Sequence, residues 1–161
     1  MEPPERDRES LHAVDDFTEE GPALRDASIT ARRIEADEAA AAALRDRLRD
    51  ASLPAIEPDP TIGARLDQGE VVHGLRTSAI LKAPGGDRAL GYGGTLYLTS
   101  RRLVHLGQVN VTVQLSDIVE TSLAAERLLL SLRDGEGLTI DVERPRTFRT
   151  KIAAAMRALR Q

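Results

Sequence analysis

From residue 66 to residue 143 the apolar residues fall on every second position in a series of short runs, and a period of two dictates strands. Val109, Val111, Val113 and Leu115 alternate with Asn110, Thr112, Gln114 and Ser116. Successive side chains of an extended chain point to opposite faces, so this is the pattern of a half-buried strand. Leu128, Leu130 and Leu132 make a second run, Asp134-Gly135-Glu136-Gly137 supply turn residues, and Leu138, Ile140 and Val142 return. That is a hairpin with its apolar faces inward. Further strands are expected from Val71 to Leu81, from Gly94 to Thr99, from Leu103 to Leu106 and from Ile118 to Leu123. Ala83-Pro84-Gly85-Gly86-Asp87 form the loop after the first of these, and Ser100-Arg101 a turn. Seven short strands joined mostly by hairpins, without crossover helices, specify an antiparallel sandwich or barrel. On this pattern His105, set between Val104 and Leu106, faces outward. The glycines of Gly91-Tyr92-Gly93-Gly94 mark a bulge or sharp bend.

Beyond the last strand the period becomes 3.6. Pro145 is compatible with a helix start. Phe148, Ile152, Ala155, Met156 and Leu159 then form one stripe, with Arg146, Arg149, Lys151, Arg157 and Arg160 mostly outside it. Such a helix has the face to plug the open end of a barrel.

The region before residue 62 is of another kind. Residues 1–60 carry 16 acids against 8 arginines, net −8, whereas residues 61–161 carry 10 acids against 14 Lys+Arg, net +4. Residues 1–21 are expected to be a disordered acidic tail, because they hold too little apolar surface to offset ordering entropy. Residues 22–52 are rich in Ala, Arg, Glu and Leu and predict a helix, with a break near Ser28 to Thr30. Its seam contains Ile34, Leu44 and Leu48 as the large apolar side chains, expected to dock on the downstream domain or on another copy. Pro54, Pro58 and Pro60 mark residues 53–61 as a stiff linker to a domain at 62–161.

Several function classes are poorly served by this composition. The chain has no cysteine, which removes disulfides, thiolate metal sites and Cys nucleophiles. His12, His73 and His105 lack metal-site spacing, and neither a Gly-x-Ser-x-Gly elbow nor a phosphate-binding glycine loop is present. No catalytic residue, metal site or cofactor is therefore expected. With Phe17, Tyr92, Tyr97 and Phe148 as the only aromatics, stacking platforms for nucleic acid are also missing. The longest apolar run, Ala39 to Leu44, is too short to span a bilayer. A cytoplasmic protein is expected.

Seven antiparallel strands followed by one helix resemble the pleckstrin-homology (PH) superfold. The wording is closest to the GRAM and bacterial PH-like families: Leu66-Asp67-Gln68-Gly69-Glu70-Val71, then Gly94-Thr95-Leu96-Tyr97-Leu98-Thr99-Ser100-Arg101-Arg102-Leu103-Val104, then Val113-Gln114-Leu115-Ser116-Asp117-Ile118. The resemblance covers about residues 62–160, and its specific part is the strand-turn-strand from Gly94 to Val104. It implies a noncatalytic module that serves as a protein-interaction or self-association scaffold, through the N-terminal helix or a sheet edge. The alternative it implies is a peripheral reader of anionic phospholipid headgroups at a membrane's inner face. For that role the candidate ligand-binding residues are Lys82 and Arg88 around the first loop, with Arg101 and Arg102 as a second contact.

Overall fold

A computed structural model describes residues 17–83 and 89–161 of the 161-residue chain. The elements are α1 (Phe17–Arg47), α2 (Pro60–Gly63), β1 (Val72–Lys82), β2 (Ala89–Thr99), β3 (Arg102–Leu106), β4 (Val111–Gln114), β5 (Ile118–Ala124), β6 (Arg127–Leu132), β7 (Gly137–Asp141) and α3 (Pro145–Leu159). All seven strands belong to one antiparallel sheet in the order β4-β3-β2-β1-β7-β6-β5. The long β1 joins its halves, pairing with β2 along its length and with β7 only through Ile80, Leu81 and Lys82. The expected seven-stranded PH-like fold with its C-terminal helix is therefore the fold observed.

The inner face of the sheet and α3 close one core. Leu81, Leu96, Leu98, Leu103, Ile118, Leu128, Leu130 and Ile140 meet Phe148, Ile152 and Ala155 there. Each fully buried large side chain stabilises the fold by about 1.5–3 kcal/mol, so α3 is integral to the domain. Its stripe ends sooner than the sequence pattern predicts, since Met156 is half-buried against the core and Leu159 is exposed.

A second cluster covers the outer face of β2 and β3, where Ile62, Val72, Tyr97 and Val104 pack with Leu66, Leu75 and Leu106. Asp59 holds this cover down. One carboxylate oxygen accepts the Thr61 and Ile62 amides of α2, at 2.9 and 3.0 Å, and the other accepts the Tyr97 hydroxyl at 2.7 Å. The Tyr97 hydrogen bond draws the Asp59 carboxyl below its ordinary range. Burial, and then Asp59 itself, push the Tyr97 phenol up to about 12. Residues 53–61, read from sequence as a linker, also contribute a bridge between Ile56 and Val72 and pack Leu53 on the main core.

Three details differ from the sequence expectation. His105 does not face outward: it is fully buried on the same face as Leu103, with Nε2 3.0 Å from the Ala79 carbonyl oxygen. Room for the ring comes from Gly94, where a Cβ would stand 2.5 Å from the imidazole. The Ser78 bulge in β1, at φ 56°, presents Ala79 to it. Simple alternation fails on β3 because both of its faces are covered. Val109 is exposed rather than inward, since pairing of β3 with β4 begins at His105 with Val111 and residues 107–110 form the hairpin turn. The N-terminal helix starts at Phe17, runs unbroken through Ser28 to Thr30 and ends at Arg47. Ser, Ile and Thr each cost a helix only a few tenths of a kcal/mol, too little to interrupt it.

The chain divides into two compact units, Met1–Ala36 and Asp37–Gln161. In the first, the described residues are helical, with Leu24 and Ile29 exposed. The second contains the sheet, α3 and the last turns of α1, and its first residue is structurally decisive. Helix α3 has no local cap: Arg144 occupies the N-cap position in the left-handed region, φ 52°, and offers no side-chain hydrogen bond. Asp37 supplies it from 109 residues away. Its carboxylate accepts the Arg146 amide at 2.8 Å, the Thr147 amide at 3.0 Å and the Thr147 hydroxyl at 2.6 Å. Only 4% of Asp37 is exposed. Replacing it with Ala leaves buried donors unmet, at about 1–3 kcal/mol. Asp37→Ala should therefore shift the denaturant midpoint downward by that equivalent, with Asp37→Asn between it and wild type. An unchanged midpoint would show that the cap contributes nothing.

Candidate functional site: an arginine-rimmed groove

Because Asp37 fixes the end of α1 to the start of α3, a groove of about 1140 Å³ opens between these helices and β5. Its apolar lining comes from Ala41 and Ala42 of α1, Val119 and Leu123 of β5, and Ala153 and Met156 of α3. Val119 is 59% exposed, unusual for a valine within a strand. β5 is a terminal strand of the sheet, so this wall has no neighbouring strand over it.

Charge is distributed unevenly around the groove. Arg45, Arg49, Arg146, Arg149, Arg157 and Arg160 line it, against Glu38, Asp46 and Glu120. Arg146 is held at one end by Glu126 at 2.8 Å and Glu38 at 3.4 Å. Its pKa is raised, first by the Glu126 hydrogen bond. Arg49 pairs with Asp46, and Arg149 donates to the Thr121 carbonyl at 2.9 Å, occupying part of the open β5 edge. Among the described residues, Arg45, Arg157 and Arg160 have no ion-pair partner. The arrangement can take an apolar side chain on its floor and carboxylates at its rim.

The seam residues of the N-terminal helix fall in different places. Leu44 is buried within the second unit, Leu48 is half-buried there, and Ile34 belongs to the first. Of the candidate headgroup residues, the described ones, Lys82 and the Arg101-Arg102 pair, lie at opposite ends of the β1–β2 pair. Lys82 makes an ion pair with Asp141 at 3.0 Å, and Asp141 also meets Arg127 at 3.2 Å. Arg88 and residues 84–87 lie outside the described residues. Arg102 is turned onto Glu70, with Nε 2.9 Å and Nη2 3.1 Å from its two carboxylate oxygens, and also donates to the Arg65 carbonyl. Arg101 donates to the Gln68 carbonyl at 3.1 Å.

Glu70 thus organises the turn between β2 and β3. It further accepts the Thr99 hydroxyl at 2.6 Å and the Asp67 amide at 2.9 Å. Burial alone would raise its pKa, but the donors from Arg102, Thr99 and Asp67 outweigh burial and hold the carboxyl below its ordinary value. A depressed carboxyl contributes stability above its unfolded pKa, about 4.3, and that contribution is lost as pH falls through the lower folded value. Thermal melts taken downward from about pH 5 should therefore decline, and Glu70→Gln should flatten the decline. An identical pH slope in the variant would contradict this role.

No protein-family model and no curated protein matches the sequence. Solved structures do resemble the fold. The N-terminal PH domain of Vps36 matches with a TM-score of 0.51 and 18% identity, over 60% of this chain and 86% of that one. Weaker likenesses are the C-terminal domain of an unknown protein from Leishmania infantum (TM-score 0.44, 11% identity, 55% of this chain and 87% of that one) and the PH domain of USP37 (0.38, 18%, 52% and 96%). The likeness to the Vps36 domain, at 18% identity, shows the PH-like fold alone. The groove residues were not singled out as a site by sequence, although Arg157 and Arg160 stood out on the basic side of α3. Val119 carried one signal, an apolar residue out of phase with Ile118.

Proposed function

We propose that this chain is a noncatalytic PH-like binding module, of the GRAM-like kind, whose ligand is an acidic segment of another protein held in the groove between α1, α3 and β5. The observation that carries this reading is the groove's combination of an exposed apolar floor with unpaired Arg45, Arg157 and Arg160. Carboxylates on a partner would meet these guanidiniums by charge-assisted hydrogen bonds. An apolar anchor between them would cover Val119 and Met156. The absence of catalysis is supported by the fate of two histidines: His105 is sealed in the core and His73 Nδ1 lies 2.9 Å from the Pro54 carbonyl oxygen. Reading of lipid headgroups has less support, because the Lys82 charge is matched by Asp141.

A synthetic helical peptide with leucines on one face and glutamates flanking them is a direct probe, with a lysine-for-glutamate peptide as its control. Fluorescence anisotropy at low salt should show binding of the acidic peptide alone. Each exposed ion pair is worth about 0.2–1 kcal/mol, so reversing three cations should weaken binding by about tenfold or more. The variant Arg45→Glu, Arg157→Glu, Arg160→Glu is expected to do this while melting near the wild-type temperature, since all three side chains are exposed. Equal binding of acidic and basic peptides, or by variant and wild type, would refute the reading.

A further inference from the structure

Lys151, one of only two lysines in the chain, lies on the side of α3 that faces β1 rather than in the groove. Strand β1 has Gly74 at this point. A Cβ there would stand 3.4 Å from Lys151 Cδ, 3.5 Å from Nζ and 3.8 Å from the Phe148 ring. The missing side chain lets the ammonium lie against the strand, half-buried. Among the described residues no carboxylate lies within ion-pair distance of it.

Its charged neighbour is instead Arg76, two residues along the same face of β1. The Arg76 guanidinium sits 4.9 Å from the centroid of the Phe148 ring. It donates Nε to the Glu143 carbonyl and Nη1 to the Leu75 carbonyl, each at 2.9 Å, so Nη2 has no protein acceptor among the described residues. Arg144, the residue after Glu143 whose carbonyl oxygen accepts Arg76 Nε, adds a third positive charge to these surroundings. The acids in range of Arg76 are Asp37 and Glu143. Asp37 has both oxygens engaged at the start of α3, and Glu143 is exposed. Burial lowers the pKa of Lys151 and of Arg76; the Arg76 charge lowers Lys151 further, and Arg144 does the same to Arg76.

We infer that Lys151, Arg76 and Arg144 form a binding site for a phosphate group, with Lys151 Nζ and the free Arg76 Nη2 as donors. A phosphate dianion suits the place because it brings the charge these cations lack and several strong acceptor oxygens. The same chemistry is carried by soluble phosphate and by a phosphorylated lipid headgroup. None of the three residues lines the groove, so the inference stands apart from acidic-segment binding.

The test is thermal melting of the full chain in rising inorganic phosphate, at constant ionic strength made up with chloride. The wild-type melting temperature should climb with phosphate, as binding to the folded state alone requires. Lys151→Met and Arg144→Gln should lose most of that climb. In chloride, Lys151→Met should melt no lower than wild type, because it removes a charge held beside like charges. In wild type the Gly74 amide resonance should move on phosphate titration, which decides the matter if a variant fails to fold. Vesicles of phosphatidylcholine with a phosphoinositide distinguish the sources: co-sedimentation that soluble phosphate competes away assigns the headgroup, and phosphate stabilisation without co-sedimentation assigns soluble phosphate. Phosphate that stabilises wild type no more than chloride and leaves Gly74 unmoved, or a Lys151→Met protein with undiminished phosphate dependence, would overturn the site.

Discussion

The carboxylate of Asp37 and the first amides of α3 form the contact on which the other features of the second unit depend. A helix beginning at Pro145 leaves its early N–H groups without intrahelical acceptors. In most chains the preceding residue supplies one, but here that residue is Arg144 in the left-handed region. A side chain distant in sequence takes over, and in doing so fixes the last turns of α1 beside α3. The negative charge also lies where the helix dipole favours it. One ionised residue therefore terminates the core, orients α3 over the sheet and creates one wall of the groove.

A similar device operates on the other side of the sheet. Asp59 caps α2 and receives the Tyr97 hydroxyl, so one carboxylate fastens the segment that covers β2 and β3. Glu70 does the same for the turn between those strands through Arg102 and Thr99. Asp37 and Glu70 are buried and Asp59 half-buried, and they are tolerated there because every one of their carboxylate oxygens is met by donors. The protein uses no disulfide, and these three acids perform much of the fastening between segments far apart in sequence.

How much of this the sequence discloses follows from the range of each interaction. Alternation along β6 and β7 and the stripe from Phe148 to Ala155 are local patterns, and they located the strands, the core and the capping helix. His105 was misplaced because alternation assumes one wet face, whereas Ile62 and its neighbours cover the outer face of β3 and Gly94 opens a slot on the inner one. Asp37 left a fainter trace: it stands in the stripe that continues through Ala41, Leu44 and Leu48, a charge on an apolar seam, while α3 lacks a conventional cap. Joining those two facts requires knowing that the helices meet. The groove could not be read either, because its walls come from three separate elements, and the basic side of α3 in isolation looks like any solvated helix face. Lys82 and Arg102 show the converse, cations that fitted a ligand-binding pattern yet find partners in Asp141 and Glu70.

Backbone amide exchange in the 161-residue chain tests the central contact most directly. The Arg146 and Thr147 N–H groups occupy positions that lack intrahelical acceptors, so only the Asp37 carboxylate can slow their exchange. The account predicts protection at both amides approaching that of the α3 interior. Exchange at the rate of an uncapped helix start would contradict it, since α3 would then stand without Asp37 and the groove would lose its α1 wall.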